Sequence, residues 1–218
     1  MTKLTTSADE QTQAMRRYYR MQSKIYDLTR WSFLFGRRQI LRLLPLEHSA
    51  TIRILEVGCG TGVNLRQMAL RFPHAAITGY DVSPDMIQLS RRHTARFGDR
   101  VQLHEGPYLP GETALNGQID LVLFSYSLTM INPQWPDLIL QAKADLREGG
   151  LIAVTDFHDS RFGWFKSHMG ANHVRMDGHL KPFLEQHFHP IINEVRPAYG
   201  SVWDYLIFIG KNTLDVRG

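Results

Sequence analysis

A single cysteine, Cys59, stands among 218 residues. An internal disulfide is excluded, and a reducing cytoplasm is the expected setting. The histidines follow no standard zinc spacing, so no metal site is expected. No apolar run reaches the roughly 18–20 residues that a membrane span requires. Met1–Thr6 lacks the apolar core of a signal peptide. There is no internal repeat, no low-complexity tract and no recognised nucleic-acid module, so nucleic acid is not an expected partner. Acid is scarce at the start: Lys3, Arg16, Arg17, Arg20, Lys24, Arg30, Arg37, Arg38 and Arg42 face only Asp9, Glu10, Asp27 and Glu47. Such a leader can meet anionic lipid or an acidic substrate, or simply present solvated helix faces.

What is present is ordinary for one soluble globular domain: 43% hydrophobic and 21% charged residues, with net charge +4. The chain is organised around Arg53-Ile54-Leu55-Glu56-Val57-Gly58-Cys59-Gly60-Thr61-Gly62. An apolar run stops at alternating glycines, and a helical pattern (Val63, Leu65, Met68, Ala69) follows. This reads as strand, tight turn and helix. Glycines let the turn approach a ligand closely, and the helix start offers unpaired N–H groups. The next strand, Ala76–Tyr80, ends in Asp81, an acid placed to accept hydrogen bonds from ribose hydroxyls. Cys59 is expected to be a small packed side chain within the loop.

The rest alternates strand and helix. Ala14 to about Leu44 is helical and aromatic, broken near Gly36, and residues 1–45 are expected to form an extension that lies over the domain of residues 46–218. Ser83-Pro84-Asp85 predicts a capped helix start, followed by strands at 101–105 and 118–124 and a helix from Trp135 to Leu146. A strand at 151–155 ends at Asp156-Phe157-His158-Asp159. Alternation of this kind predicts a parallel sheet with right-handed crossovers. Arg161–His173 is an aromatic, histidine-rich insert. A short helix at 181–188 and two closing strands, 191–195 and 202–210, complete the chain as a hairpin around Pro197–Gly200.

The loop Glu56-x-Gly58-x-Gly60-x-Gly62 resembles motif I of class I S-adenosylmethionine (SAM) methyltransferases. That resemblance covers about residues 50–210. It implies an α/β, Rossmann-like fold: a mostly parallel seven-stranded sheet with an antiparallel closing strand and an N-terminal helical lid. Tyr26-Asp27-Leu28-Thr29-Arg30, Ser125-Tyr126-Ser127-Leu128-Thr129 and Asp156-Phe157 resemble a narrower family, the bacterial betaine-lipid N-methyltransferases, which methylate the amine of diacylglyceryl-homoserine. The resemblance implies S-adenosylmethionine as cofactor, with Tyr26, Arg30, Glu56, Gly58, Gly60, Asp81, Val82, Met86, Gly106, Ser125 and Tyr126 as its binding residues. It departs at Pro107, where such enzymes usually place an acid toward adenine; proline offers neither acceptor side chain nor N–H.

Methyl transfer to an amine needs positioning and a neutral nucleophile more than a covalent catalyst. Tyr26, Trp31, Tyr126, Phe157 and Trp164 supply aromatic faces for cationic groups. Arg30 and Arg37 are candidates for a substrate carboxylate. Tyr26, Tyr126 and His158 are the catalytic candidates, with His168 and His173 as further proton acceptors. The leading expectation is an enzyme that methylates a lipid head-group amine at the inner membrane face. The competing readings are a soluble amine or quinone-type acceptor, and a non-catalytic SAM-binding or basic adaptor protein.

Overall fold

The computed structural model describes residues 34–109, 115–171 and 173–213. Seven strands form one sheet in the order β3-β2-β1-β4-β5-β7-β6. They are β1 (Arg53–Val57), β2 (Ala76–Asp81), β3 (Val101–Glu105), β4 (Ile119–Ser125), β5 (Leu146–Asp159), β6 (His189–Ala198) and β7 (Trp203–Lys211). Pairing is parallel from β3 through β5, and β7 runs antiparallel to both β5 and β6. The mostly parallel seven-stranded sheet with its antiparallel strand is as expected.

Among the described residues six α-helices cover the sheet: α1 (Arg37–Leu43), α2 (Val63–Arg71), α3 (Pro84–Thr94), α4 (Trp135–Asp145), α5 (Gly163–Ala171) and α6 (Leu180–His187). Successive strand side chains alternate between faces. Ile54, Leu121, Ala153 and Ile207 therefore pack on one side with Leu65, Met68 and Ile87 of α2 and α3. Leu55, Val122, Ile152 and Leu206 pack on the other with Leu138 and Ile139 of α4 and Leu184 of α6. Both faces are sealed, which is why the strands read as continuous apolar runs. Ile40, Leu41 and Leu44 are buried in the first of these cores, at the end of the segment read as an extension. Residues 1–33, including Tyr26, Arg30 and Trp31, lie outside the described residues.

Element ends follow local chemistry. Ser83 caps α3 by accepting from Met86 N–H, and Pro84 sits at its first position. The strand expected at 151–155 runs instead from Leu146 to Asp159, because β4 pairs with its first half and β7 extends the ladder to Asp159. Asp156, Phe157 and His158 are thus strand residues. The parallel strands β1, β2, β4 and β5 all end at one edge, and the turn of the β6–β7 hairpin lies there too.

Candidate active site

At that edge the β1–α2 loop turns back on itself. Gly58, Gly60 and Gly62 all adopt positive φ, 74°, 53° and 76°, a backbone that strongly favours glycine. Their surroundings differ. A Cβ on Gly62 would lie 2.3 Å from Ser90 Oγ, and one on Gly58 would lie 2.7 Å from Ser127 Cβ; one on Gly60 would meet nothing within 4 Å among the described residues. Two glycines therefore serve packing, and the third has open space above it among those residues. The Tyr80 carbonyl accepts from both Gly58 N–H and Cys59 N–H, at 2.9 Å each. Asp81 Oδ2 accepts from Gly60 N–H at 2.7 Å, and its Oδ1 accepts from Ser83 N–H at 2.9 Å. Asp81 thus joins the loop to the start of α3. Val82 is half-buried and Met86 is buried beside it. Cys59 is buried, and burial, with the charges of Glu56 and Asp81, pushes its thiol far up, which suits a packing role.

Glu56 lies one residue before the end of β1 and is 1% exposed. Asn64 Nδ2 donates to its Oε1 at 2.7 Å, while its Oε2 is buried with no hydrogen-bond partner. Burial, helped by the charge of Asp81, pushes its carboxyl up to about 7, opposed by the Asn64 hydrogen bond, the charge of Arg37 and the Leu65 N–H. A buried carboxylate oxygen without a donor is costly unless something cationic arrives. Asn64 was not singled out from the sequence, although a lone amide on the apolar face of α2 was a visible signal.

The loop after β4 is the second wall. Ser125 Oγ and Ser127 Oγ are buried without partners. Tyr126 between them has φ 56° and is 1% exposed. Its hydroxyl donates to the Phe35 carbonyl at 2.7 Å, and its ring meets Phe157 edge-on at 4.8 Å. Burial raises this phenol well above its ordinary range, so it acts as a neutral donor and an aromatic wall. The geometry is held by Asp156, which the sequence reading did not place in the site. Asp156 Oδ2 accepts from the N–H groups of Ser127, Leu128 and Thr129 at 3.0, 2.9 and 3.3 Å, and Oδ1 accepts from Thr129 Oγ1 at 2.5 Å and Phe157 N–H at 2.9 Å. Burial still raises its carboxyl to about 6.

The remaining candidates lie further apart. Gly106 N–H donates to the Asp81 carbonyl at 2.9 Å, and a Cβ on Gly106 would enter open space. Pro107 is exposed, while Tyr108 is buried with its hydroxyl donating to Asp145 at 2.5 Å. His158 follows Phe157 at a β-bulge of β5 and packs against Gly178. Burial lowers its pKa. His168 and His173 are exposed, as is Trp164 on α5. No cluster of three or more potential metal ligands occurs among the described residues. The structure brings Glu56, Gly58, Gly60, Asp81, Met86, Ser125 and Tyr126 to one edge of the sheet, with His158 at the end of β5.

A family model described as "Methyltransferase domain" matches residues 28–194. The malonyl-[acyl-carrier protein] O-methyltransferase of Geobacter sulfurreducens is 33% identical over 134 residues, 59% of this chain and 47% of that protein. The demethylmenaquinone methyltransferase of Tropheryma whipplei is 28% identical over 157 residues, 69% of this chain and 62% of that protein. The chain spans less than two thirds of the length of either relative. Among solved structures, Burkholderia thailandensis 1,6-didemethyltoxoflavin-N1-methyltransferase, with bound 1,6-didemethyltoxoflavin and S-adenosylhomocysteine, superposes with a TM-score of 0.71 at 17% identity. That match covers 94% of this chain and 90% of the other.

Proposed function

Because the chain belongs to the methyltransferase-domain family, we propose that it is a SAM-dependent methyltransferase whose acceptor is the amine of a lipid head group, reached from the membrane surface. The observation that carries the cofactor part is the pairing of Glu56 Oε2, buried and unpartnered, with the open space over Gly60. SAM carries an amino-acid tail, a ribose and a positive sulfonium. Glu56 would take the tail ammonium, Asp81 the ribose hydroxyls, and Gly60 the close backbone approach. Val82, Met86 and Gly106 would border the adenine, and Tyr26 and Arg30 of the extension remain proposed contacts. When bound, this group supplies an electrophilic methyl on sulfur.

The chain's own contribution is positioning. Asp156 holds the 127–129 turn, so that Tyr126 and Ser127 keep one arrangement beside Gly58. Tyr126 and Phe157 present aromatic faces where an amine becomes an ammonium. The Tyr126 phenol, donating to Phe35, orients the wall and holds its proton. His158 packs against Gly178, and the acceptor amine is taken to arrive already neutral.

A second reading is a quinone-type or soluble small-molecule acceptor; the name of the Tropheryma whipplei relative favours it. One experiment separates the two: incubation with methyl-labelled SAM and a total lipid extract, then mass analysis of lipid and aqueous fractions, with Asp81→Ala as the control that loses cofactor. Methyl gain on an amine-bearing lipid is expected. Label confined to a quinone or the aqueous fraction would overturn the lipid acceptor, and SAM binding with no transfer to any fraction would leave a non-catalytic SAM-binding protein.

A further inference from the structure

Between Leu34 and Arg100 the chain has ten arginines, no lysine and five acidic residues; from Val101 to Gly218 the balance reverses, with nine basic against thirteen acidic residues. Most of those arginines lie on α1, α2, α3 and the turn that follows, all on one face of the sheet. Two of the five acids are withdrawn from it, since Glu56 is buried and Asp81 is held in the glycine loop.

Between α1 and α2 runs an open groove of about 350 Å³. Arg38, Arg42, Gln67 and Arg71 line it, with Leu41 and Met68 buried beneath and Leu70 exposed at its side. Arg71 donates to the Leu41 and Leu44 carbonyls, closing the end of α1. Arg38 and Arg42 are exposed, one turn apart, and make no hydrogen bond or ion pair among the described residues. In the acidic half, by contrast, Arg147, Lys166, Arg175, Lys181 and Arg196 each pair with a carboxylate. Two like charges at i and i+4 oppose each other unless an anion lies between them.

We propose that this groove docks the phosphate groups of an anionic bilayer. It rests on the membrane-surface part of the reading above and on no particular acceptor. Guanidinium groups match phosphate oxygens bidentately. The exposed apolar side chains of α2 are aliphatic, Leu70 at 48% and Val63 at 37%, which suits the glycerol and acyl layer. On α2 and the turn after α3 the aromatic rings are covered: Arg71 lies over Phe72 at 5.1 Å, and Arg96 and Arg100 lie over Phe97 at 4.8 and 5.5 Å. Among the described residues these arginine-bearing segments present no open ring for a nucleic-acid base to stack on; the exposed rings on the same side of the sheet, Trp164 and Tyr199, lie on α5 and at the β6–β7 turn. The acceptor wall is tied to the same helix, because the Tyr126 hydroxyl bonds Phe35, two residues before α1. A seven-residue helix is about 10 Å long, so docking through the groove keeps the acceptor wall close to the bilayer.

The test is co-sedimentation with phosphatidylcholine vesicles, with and without phosphatidylglycerol, at about 0.1 M salt. The chains compared are wild type, Arg38→Ser/Arg42→Ser and Arg38→Lys/Arg42→Lys, with SAM affinity measured on each. The wild type binds only the anionic vesicles. The serine pair loses about 25-fold in vesicle affinity, two charges at the membrane surface, and keeps its SAM affinity; the lysine pair retains most binding. Equal binding by wild type and serine pair would overturn the groove and leave membrane association intact. No binding by the wild type would overturn both. Tighter retention of duplex DNA than of anionic vesicles, lost in the serine pair, would overturn the lipid assignment. Vesicle binding that persists where no lipid is methylated would separate this docking from the acceptor reading.

Discussion

At the scale of single residues, Glu56 sets a pH dependence. Burial lifts its native carboxyl from the ordinary 4.5 to about 7. Between those values the unfolded chain has lost a proton that the native chain keeps, so this group's contribution to stability falls as pH rises from about 4.5 to 7, by about 3 kcal/mol. Cofactor binding runs the other way, because an ammonium is held by the ionised form. SAM affinity in calorimetry should rise by about ten-fold from pH 6 to pH 8, with proton release, and Glu56→Gln should bind weakly without that slope. A wild-type affinity independent of pH would remove Glu56 from the tail site. The glycines divide as sharply. Gly62→Ala should unfold much of the protein, since its Cβ would strike Ser90. Gly60→Ala should fold at a cost of about 1–2 kcal/mol in backbone strain, yet lose SAM binding at least about ten-fold, because the added methyl enters the space proposed for the cofactor.

At the scale of elements, β5 and the β4 loop are one device joined by Asp156. Asp156→Asn replaces an acceptor facing four N–H groups and a hydroxyl with a side chain that must turn a donor toward some of them. A loss of about 2–3 kcal/mol in denaturant unfolding is expected. Methyl transfer should fall more than SAM binding, as the loop moves and the glycine loop stays. An equal fall in both would make Asp156 merely structural. The helix at 84–94 was legible because Ser83 and Pro84 are local signals. Asp156 was not legible as a bracket: its five donors come from residues 127–129 and from Phe157, and a strand-end acid looks the same whether it faces solvent or a neighbouring loop.

For the whole molecule, the two cores share β1, β4, β5 and β7, so the sheet should melt as one unit. A chain beginning at Leu34 should retain a single cooperative melt, because α1 supplies Ile40, Leu41 and Leu44 to the core. If residues 1–33 act as the proposed lid, that chain should lose methyl transfer with its melt preserved; loss of the melt would make the extension part of the core. The sequence alone determined the order of strands and helices, the glycine loop and Asp81, since each is written in contiguous residues whose periodicity and backbone preference act locally. Only the tertiary structure decided that Gly60 has open space above it among the described residues while Gly58 and Gly62 do not, that Asn64 leaves one Glu56 oxygen unpartnered, and that Asp156 pins the 127–129 loop. Those three depend on which side chains meet across 8 to 69 residues of chain, and side-chain contacts at such separations follow from sheet register and packing, which no local pattern encodes.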